Sequence, residues 1–316
     1  MSDLLVTTVH SLFAWSVIAL LLSWTLAAAY PLLDRWLQTA SAPVASFFTL
    51  LYGLLPPASA VIALFLLFHP HIAVSLVRSH CHEDVCGPHE VHITTTTLAG
   101  LSSVALAIVL LGIVGILFFS QLMSGRQRLR MLDNLSEAGS PHYRLVETSN
   151  PVAWCAGLWR PQVYISRSLH RSLDDRQLNI VLAHEFSHAC RRDNLRKWLL
   201  HWATIAWPRT LRQRIRRDFG DRNEQVGDLA ALRENHSPWD LNSVIRTIEH
   251  HCPCADANSR RQRVAGLQRE LALSAAGAGR RWLRHSPLVL QACCLWMLFI
   301  IVSVHFGHPL LEWLSR

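Results

Sequence analysis

Charge is what this sequence has little of. Asp, Glu, Lys and Arg make up 16% of its 316 residues, against 51% hydrophobic residues, and the mean hydropathy is +0.21. An ordinary soluble domain carries about 25% charged residues, so composition excludes that class and predicts a membrane protein with a polar domain. In four stretches the shortage is complete: roughly Val9–Tyr30, Val44–Phe68, Leu98–Phe119 and Pro287–Phe306 contain no Lys, Arg, Asp or Glu. Each is long enough to cross a hydrocarbon core of about 30 Å. The first lacks a basic leader and a small-residue cleavage site, so it is expected to be an anchor and not a removable signal. The second contains Pro56-Pro57, which is expected to kink or break it. No internal repeat and no low-complexity tract occurs. The eight cysteines divide between compartments under the topology that the basic residues indicate, which excludes a disulfide-stapled fold.

The few basic residues report orientation. Arg126, Arg128 and Arg130 follow the third stretch, and Arg280, Arg281 and Arg284 precede the fourth. The other loops and tails carry at most one arginine each, Arg35, Arg78 and Arg316. The positive-inside tendency then places 120–285 in the cytoplasm and both termini outside. The net charge of +8 is mainly a topology signal, and no direct nucleic-acid partner is expected. Three parts follow: residues 1–119 with spans at about 9–30, 44–68 and 98–119 and an outside loop at 69–97; a cytoplasmic domain at 120–285; and 286–316 with the fourth span. Under this topology Cys155, Cys190, Cys252 and Cys254 are reduced, and Cys293 and Cys294 lie in the fourth span.

Within the cytoplasmic segment, runs around Val152–Cys155 and Gln162–Ser166, separated by Gly157 and Pro161, read as a strand hairpin. Residues 195–208, "LRKWLLHWATIAWP", are apolar but too short to span. They form either a core helix or an interfacial one through Trp198, Trp202 and Trp207. Arg209, Arg212, Arg214, Arg216 and Arg217 follow. They read as a solvated or lipid-facing surface, or as a docking site for an acidic segment.

"VLAHEFSHACRRDN", residues 181–194, carries the chemistry. Leu178, Val181, Leu182, Phe186 and Ala189 recur at helical spacing, and Ser172 with Asp175 reads as the capping box. His184 and His188 then share a face, about 5–6 Å apart at Cβ, and can reach one tetrahedral zinc at about 2.0–2.1 Å. Glu185 stands beside them as a proton acceptor. The chain has 18 histidines, so a histidine-rich helix without metal is the competing reading. Arg191 and Asn194 stand where the extended metzincin motif needs glycine and a third histidine, which excludes that arrangement. A second helix is expected over 221–234, capped by Asp221, with Glu224 and Asp228 on one face. Either Glu224 completes a His2Glu set, with Asp228 behind a ligand histidine, or the acids pair with arginines on a surface.

The ordered elements "AGLWRPQVYIS", "HEFSHACRRDN" and "NEQVGDLAAL" resemble the BlaR/MecR-type antirepressor metallopeptidases. That resemblance runs through Gly157 and Pro161, then His184, Glu185, His188, Arg191, Arg192 and Asp193, then Glu224 and Asp228. It implies a mainly α membrane protein in which four transmembrane helices hold a gluzincin-like α+β zinc metallopeptidase domain between the third and fourth spans. It also implies one zinc per chain on His184, His188 and Glu224, with Asp193 and Asp228 supporting the ligands and Glu185 catalytic. A bacterial inner-membrane location is expected, with membrane lipid and a protein substrate, a transcriptional repressor by resemblance, as partners. Extended substrate is expected to add to the strand at Val152, Ala153, Trp154 and Cys155. The second oxyanion donor stays open among His201, Arg222, His236 and His251.

Two departures stand out. About ten residues follow Phe306, so sensing through a C-terminal penicillin-binding domain is not expected. Gly227 replaces the usual Ala or Cys, which costs the helix about 1 kcal/mol and is expected to leave the ligands untouched. Membrane-protein quality control is an alternative role. A proteolytically silent metal sensor is another, and the loop at 69–92 favours it with six histidines, two cysteines and three acids. A transporter is disfavoured by spans without ionisable residues.

In that loop His80, Cys81, His82, Cys86 and His89 either form a second metal site or surround a Cys81–Cys86 disulfide. Titrating the loop peptide with zinc and copper, reduced and oxidised, separates the two. The metal reading requires tighter binding than a scrambled peptide shows in at least one state.

Overall fold

The computed structural model describes residues 2–67, 69, 72, 80–82, 85–87, 97–235, 293–294, 296–307 and 309–310. Helices α1 (Ser2–Leu37) and α2 (Ala42–Leu67) pack side by side, followed by a small antiparallel hairpin, β1 (His80–His82) and β2 (Val85–Gly87), and by α3 (Leu98–Leu135). Among the described residues, three helical segments are long and apolar enough to cross a membrane: Ser11–Leu37, Ala42–Leu67 and Gly100–Leu135. The fourth expected stretch falls partly outside the described residues, and what is described includes a shorter apolar helix, Trp296–Gly307. Ala14, Ala60, Ala63 and Ala107 let these helices approach closely around Phe13, Ile18, Leu67, Ile300 and Val304.

Pro56-Pro57 does not break α2, which runs through both; in apolar surroundings the backbone has no water to turn to, so the helix persists. α1 continues past Tyr30 through Pro31, and carries the buried Asp34 within its last turns. α3 likewise continues beyond Phe119, so Arg126, Arg128 and Arg130 are helical.

After α3 come β3 (Ser136–Ser140), β4 (Tyr143–Val146), β5 (Ala153–Ala156) and β6 (Gln162–Ser166), then α4 (Arg167–Ser172), α5 (Asp175–Arg191), α6 (Asp193–Ala203) and α7 (Arg209–Asn235). The strands form one sheet in the order β3-β4-β6-β5, parallel only between β4 and β6. The expected hairpin is β5–β6, which leaves β5 at the edge. Gly157 turns it with φ +105, a conformation that L side chains rarely adopt, and a Cβ there would lie 2.6 Å from the Arg160 carbonyl oxygen.

α5 has two working faces. Leu178, Leu182, Phe186 and Ala189 pack on the sheet core of Val163, Ile165 and Leu169, while Ile180 and Val181 meet Ala231 and Leu232 of α7. Its capping box is Asp174 with Gln177, two residues later than expected. The Ser172 hydroxyl instead donates back to the Leu169 carbonyl at 2.9 Å and closes α4.

α6 and α7 seat against the apolar helices. Leu200, Trp207, Ile215 and Phe219 are buried with Ala27 and Tyr30 of α1. Trp198 and Trp202 meet Phe118 of α3 at 4.8 and 5.1 Å between ring centroids. α7 is continuous from Arg209, so Asp221 lies within the helix and caps nothing. The basic run is also not simply a solvated or lipid-facing surface. Arg212 donates to the Ile205 carbonyl at 2.8 Å, Arg216 to that of His201 at 2.6 Å, and Arg214 to Asp34 at 2.7 Å.

Asp34 also accepts from Arg222 at 2.6 Å, a pair whose side chains are 6% and 9% exposed. Removing one partner of a buried pair strands the other charge, at a cost of about 3–5 kcal/mol. Asp34→Ala is therefore expected to lower the thermal unfolding midpoint of the detergent-solubilised chain markedly. An unchanged midpoint would show that Arg222 finds another partner without loss.

Candidate metal centre

α5 and α7 face each other across three donor atoms. His184 Nε2 and His188 Nε2 lie 3.1 Å apart. Glu224 Oε2 lies 3.4 Å from the first and 3.7 Å from the second. Ligands on a tetrahedral zinc with bonds of about 2.0–2.1 Å sit about 3.3–3.4 Å from one another, and the three observed separations straddle that value. Among the described residues no other group of three metal-binding side chains converges in this way.

The far edges of both imidazoles are occupied. His184 Nδ1 is 3.1 Å from Asp228 Oδ1, and His188 Nδ1 is 2.8 Å from Asp193 Oδ2. Asp228 is 0% and Asp193 1% exposed. A carboxylate on Nδ1 fixes the tautomer and turns Nε2 toward the shared point. Asp193 reaches His188 because the chain turns sharply at Arg192, whose φ of 52 is left-handed. That corner ends α5 and begins α6 within one residue. A non-glycine residue held there costs about 1–2 kcal/mol, a strain that the surrounding contacts hold in place.

Electrostatics favour a cation at the centre. Burial opposes charge on His184, yet the hydrogen bonds to Asp228 and Glu224 prevail and raise its pKa to about 10. His188 is also raised, against its burial, by Asp193 and Glu224. Burial works against ionised Glu224 as well, but the two histidines hold its carboxyl far below the usual range. Protonation of the two imidazoles or a single divalent ion would each offset the negative charge of the carboxylates around them. The donor set therefore fits a divalent metal such as zinc. Glu185 differs: burial raises its pKa above the usual carboxylate value, as suits a group that accepts and returns a proton.

Ala153, Trp154 and Cys155 lie in edge strand β5, while Val152 precedes it and exchanges bonds with Ser166 at 2.9 and 2.8 Å. Trp154 stacks on Tyr164, 5.6 Å between centroids. Asn194 Nδ2 donates to the Cys155 carbonyl at 2.8 Å, and burial pushes the Cys155 thiol up to about 12. Arg222 is committed to Asp34 and Thr49, so it is not a free oxyanion donor. The His201 ring stands beside Trp202, 5.7 Å between centroids. His236, His251, Cys252 and Cys254 lie outside the described residues, as does His89. β1 and β2 set Cys81 opposite Cys86 in register, which leaves both readings of that loop open. Sequence reasoning missed Lys197, whose Nζ is 3.6 Å from Glu224 Oε1; an exposed lysine on α6 carries no local signal.

Gly227 is a correction. A Cβ there would meet the His184 ring at 2.7 Å from Cε1 and 2.9 Å from Nδ1. The glycine lets the imidazole lie against α7 and reach Asp228, so it does bear on the ligand set.

Residues 124–265 match the family model of Peptidase family M48. The match takes in α5, α6 and α7 with all the residues of this centre, and it supports the M48 metallopeptidase family and a metallopeptidase activity. No curated protein matches, and no solved structure does. Three helices long and apolar enough to cross a membrane are compatible with membrane association.

Gly227→Ala sets two effects against each other. Alanine favours the helix by about 1 kcal/mol, but its methyl displaces the His184 ring. The variant is expected to bind zinc about 10-fold or more weakly in chelator competition while the metal-free protein melts no lower than the parent. Equal zinc affinity would show that the close approach does not place the ring.

Proposed function

We propose that this protein is an integral-membrane zinc metalloendopeptidase that cleaves a cytoplasmic or membrane protein. The observation that carries this reading is the pairing of each imidazole: Nδ1 on a buried carboxylate, Nε2 turned to a point shared with Glu224. Arginine pairing on a surface does not require such convergence.

His184 Nε2, His188 Nε2 and Glu224 Oε2 would hold the metal. Bound there, zinc would polarise the scissile carbonyl and lower the pKa of water to about 7. Glu185 takes the proton of the attacking water and returns it to the leaving amine. Asp193 and Asp228 keep the imidazoles in the tautomer that leaves Nε2 free. β5 offers its edge to an extended substrate, with Asn194 bracing the Cys155 end. A proteolytically silent sensor would have no use for Glu185 in this position.

The arginine distribution supports a cytoplasmic peptidase domain with both termini outside. α1 and α2 agree with it. The last turns of α1 and the first half of α2 meet α7 through Asp34, Ser46 and Thr49, so the domain sits at the end of the bundle where α1 joins α2. The BlaR/MecR-type resemblance makes a transcriptional repressor the proposed substrate.

Zinc retention and turnover should separate. Glu185→Gln is expected to keep about one zinc per chain and to lose at least 10²-fold in cleavage rate. His184→Ala, His188→Ala and Glu224→Ala are expected to lose metal and activity together; Asp228→Ala is expected to weaken either by about 10–100-fold. Elemental analysis of purified variants, beside cleavage of a candidate repressor, measures both. Full activity in Glu185→Gln would sink the mechanism, and a metallated, active Glu224→Ala would remove the third ligand.

A further inference from the structure

Ser46, on the first half of α2, is fully buried although serine is polar. Its hydroxyl has three partners. It donates to Asn223 Oδ1 at 2.6 Å and accepts from Arg191 Nη2 at 3.0 Å and Arg196 Nη2 at 3.2 Å. Each partner adjoins the metal centre. Asn223 directly precedes Glu224. Arg191 ends α5 and also donates to Asn223 Oδ1 at 2.8 Å. Arg196 donates through Nη1 to Asp193 Oδ1 at 3.0 Å, and Asp193 Oδ2 holds His188 Nδ1 at 2.8 Å.

We propose that Ser46 is a positioning residue of the metal centre, through which the seating of α2 sets metal affinity. This rests on the reading of His184, His188 and Glu224 as ligands. Two routes meet at one hydroxyl: Ser46–Asn223 sets the rotation of α7 beneath Glu224, and Ser46–Arg196–Asp193 sets the His188 imidazole. Without the hydroxyl, two guanidinium groups lose an acceptor inside a buried contact. Arg191 keeps Asn223 Oδ1 at 2.8 Å, and among the described residues the one carboxylate within reach of both guanidinium groups is Asp193, 3.0 Å from Arg196 and 3.5 Å from Arg191. Its carboxylate turns toward them and loosens its hold on His188. Partners one bond behind a ligand typically change metal affinity about 10–100-fold.

A second buried serine on the same helix separates this from ordinary packing. Ser59 is 1% exposed and accepts from Trp296 Nε1 at 2.7 Å, in a contact with no link to the centre. The full-length chain in detergent is titrated with zinc against a chelator, and with Co²⁺, whose visible absorption reports ligand geometry. Ser46→Ala is expected to bind zinc about 10–100-fold more weakly and to alter the Co²⁺ spectrum, whereas Ser59→Ala matches the parent in both. Asn223→Ala removes the shared acceptor from the α7 side and is expected to follow Ser46→Ala, which keeps the test open should that variant fold poorly. If Ser46→Ala and Asn223→Ala bind zinc and Co²⁺ as Ser59→Ala does, the inference is overturned. A parent protein that takes up neither metal would instead overturn the ligand reading itself, and this inference with it.

Discussion

Two buried carboxylates aim the centre. Asp228 holds the Nδ1 edge of His184 and Asp193 that of His188, and each imidazole is left with one nitrogen to offer. Free imidazoles on neighbouring turns would rotate and swap tautomers, and their nitrogens would seldom meet. With both edges pinned, the approach of Nε2 to Nε2 follows from the i, i+4 spacing on α5, and the approach to Glu224 from the packing of α7 on α5. Much of the nearby architecture serves these two contacts. The left-handed corner at Arg192 brings Asp193 back onto the helix it has just left, and the bare backbone at Gly227 lets His184 settle onto α7.

The three converging donors come from two differently mounted helices. α5 lies on the sheet through Leu178, Leu182, Phe186 and Ala189. α7 lies on α1 and α2, held by Phe219, by the Arg222–Asp34 pair, and by Tyr30, whose hydroxyl donates to Asp218 at 2.8 Å. Ile180, Val181, Ala231 and Leu232 join the helices just beyond the site. A metal held by His184, His188 and Glu224 would cross-link the sheet to the apolar bundle.

What could be read from sequence was local. The stripe on α5, the i, i+4 spacing of His184 and His188, and the spacing of Glu224 and Asp228 all follow from one helical period. The turn at Gly157 was legible for the same reason. Local signals also misled. Ser172 and Asp221 both looked like helix starts, yet Ser172 bonds backward to Leu169 and Asp221 sits inside a longer helix. Pro56-Pro57 looked like a break because rules drawn from water were applied to an apolar setting. The arginines of α7 looked like surface because nothing near them names Asp34 or the carbonyls of His201 and Ile205 as partners. Ser46 and Asn223 stand 177 residues apart, and only the tertiary fold joins them.

The edge of β5 carries a consequence for selectivity. The strand has four residues, and Asn194 already takes the Cys155 carbonyl. A peptide laid along it finds a short berth, with few backbone bonds at about 0.5–1.5 kcal/mol each. So small a grip discriminates poorly between sequences and holds no distant substrate for long. Under the proposed function, effective concentration would then decide which bond is cut: a partner confined near the same membrane would be present at an effective level of about millimolar with no additional contact. Such a peptidase would choose its substrates by proximity more than by sequence.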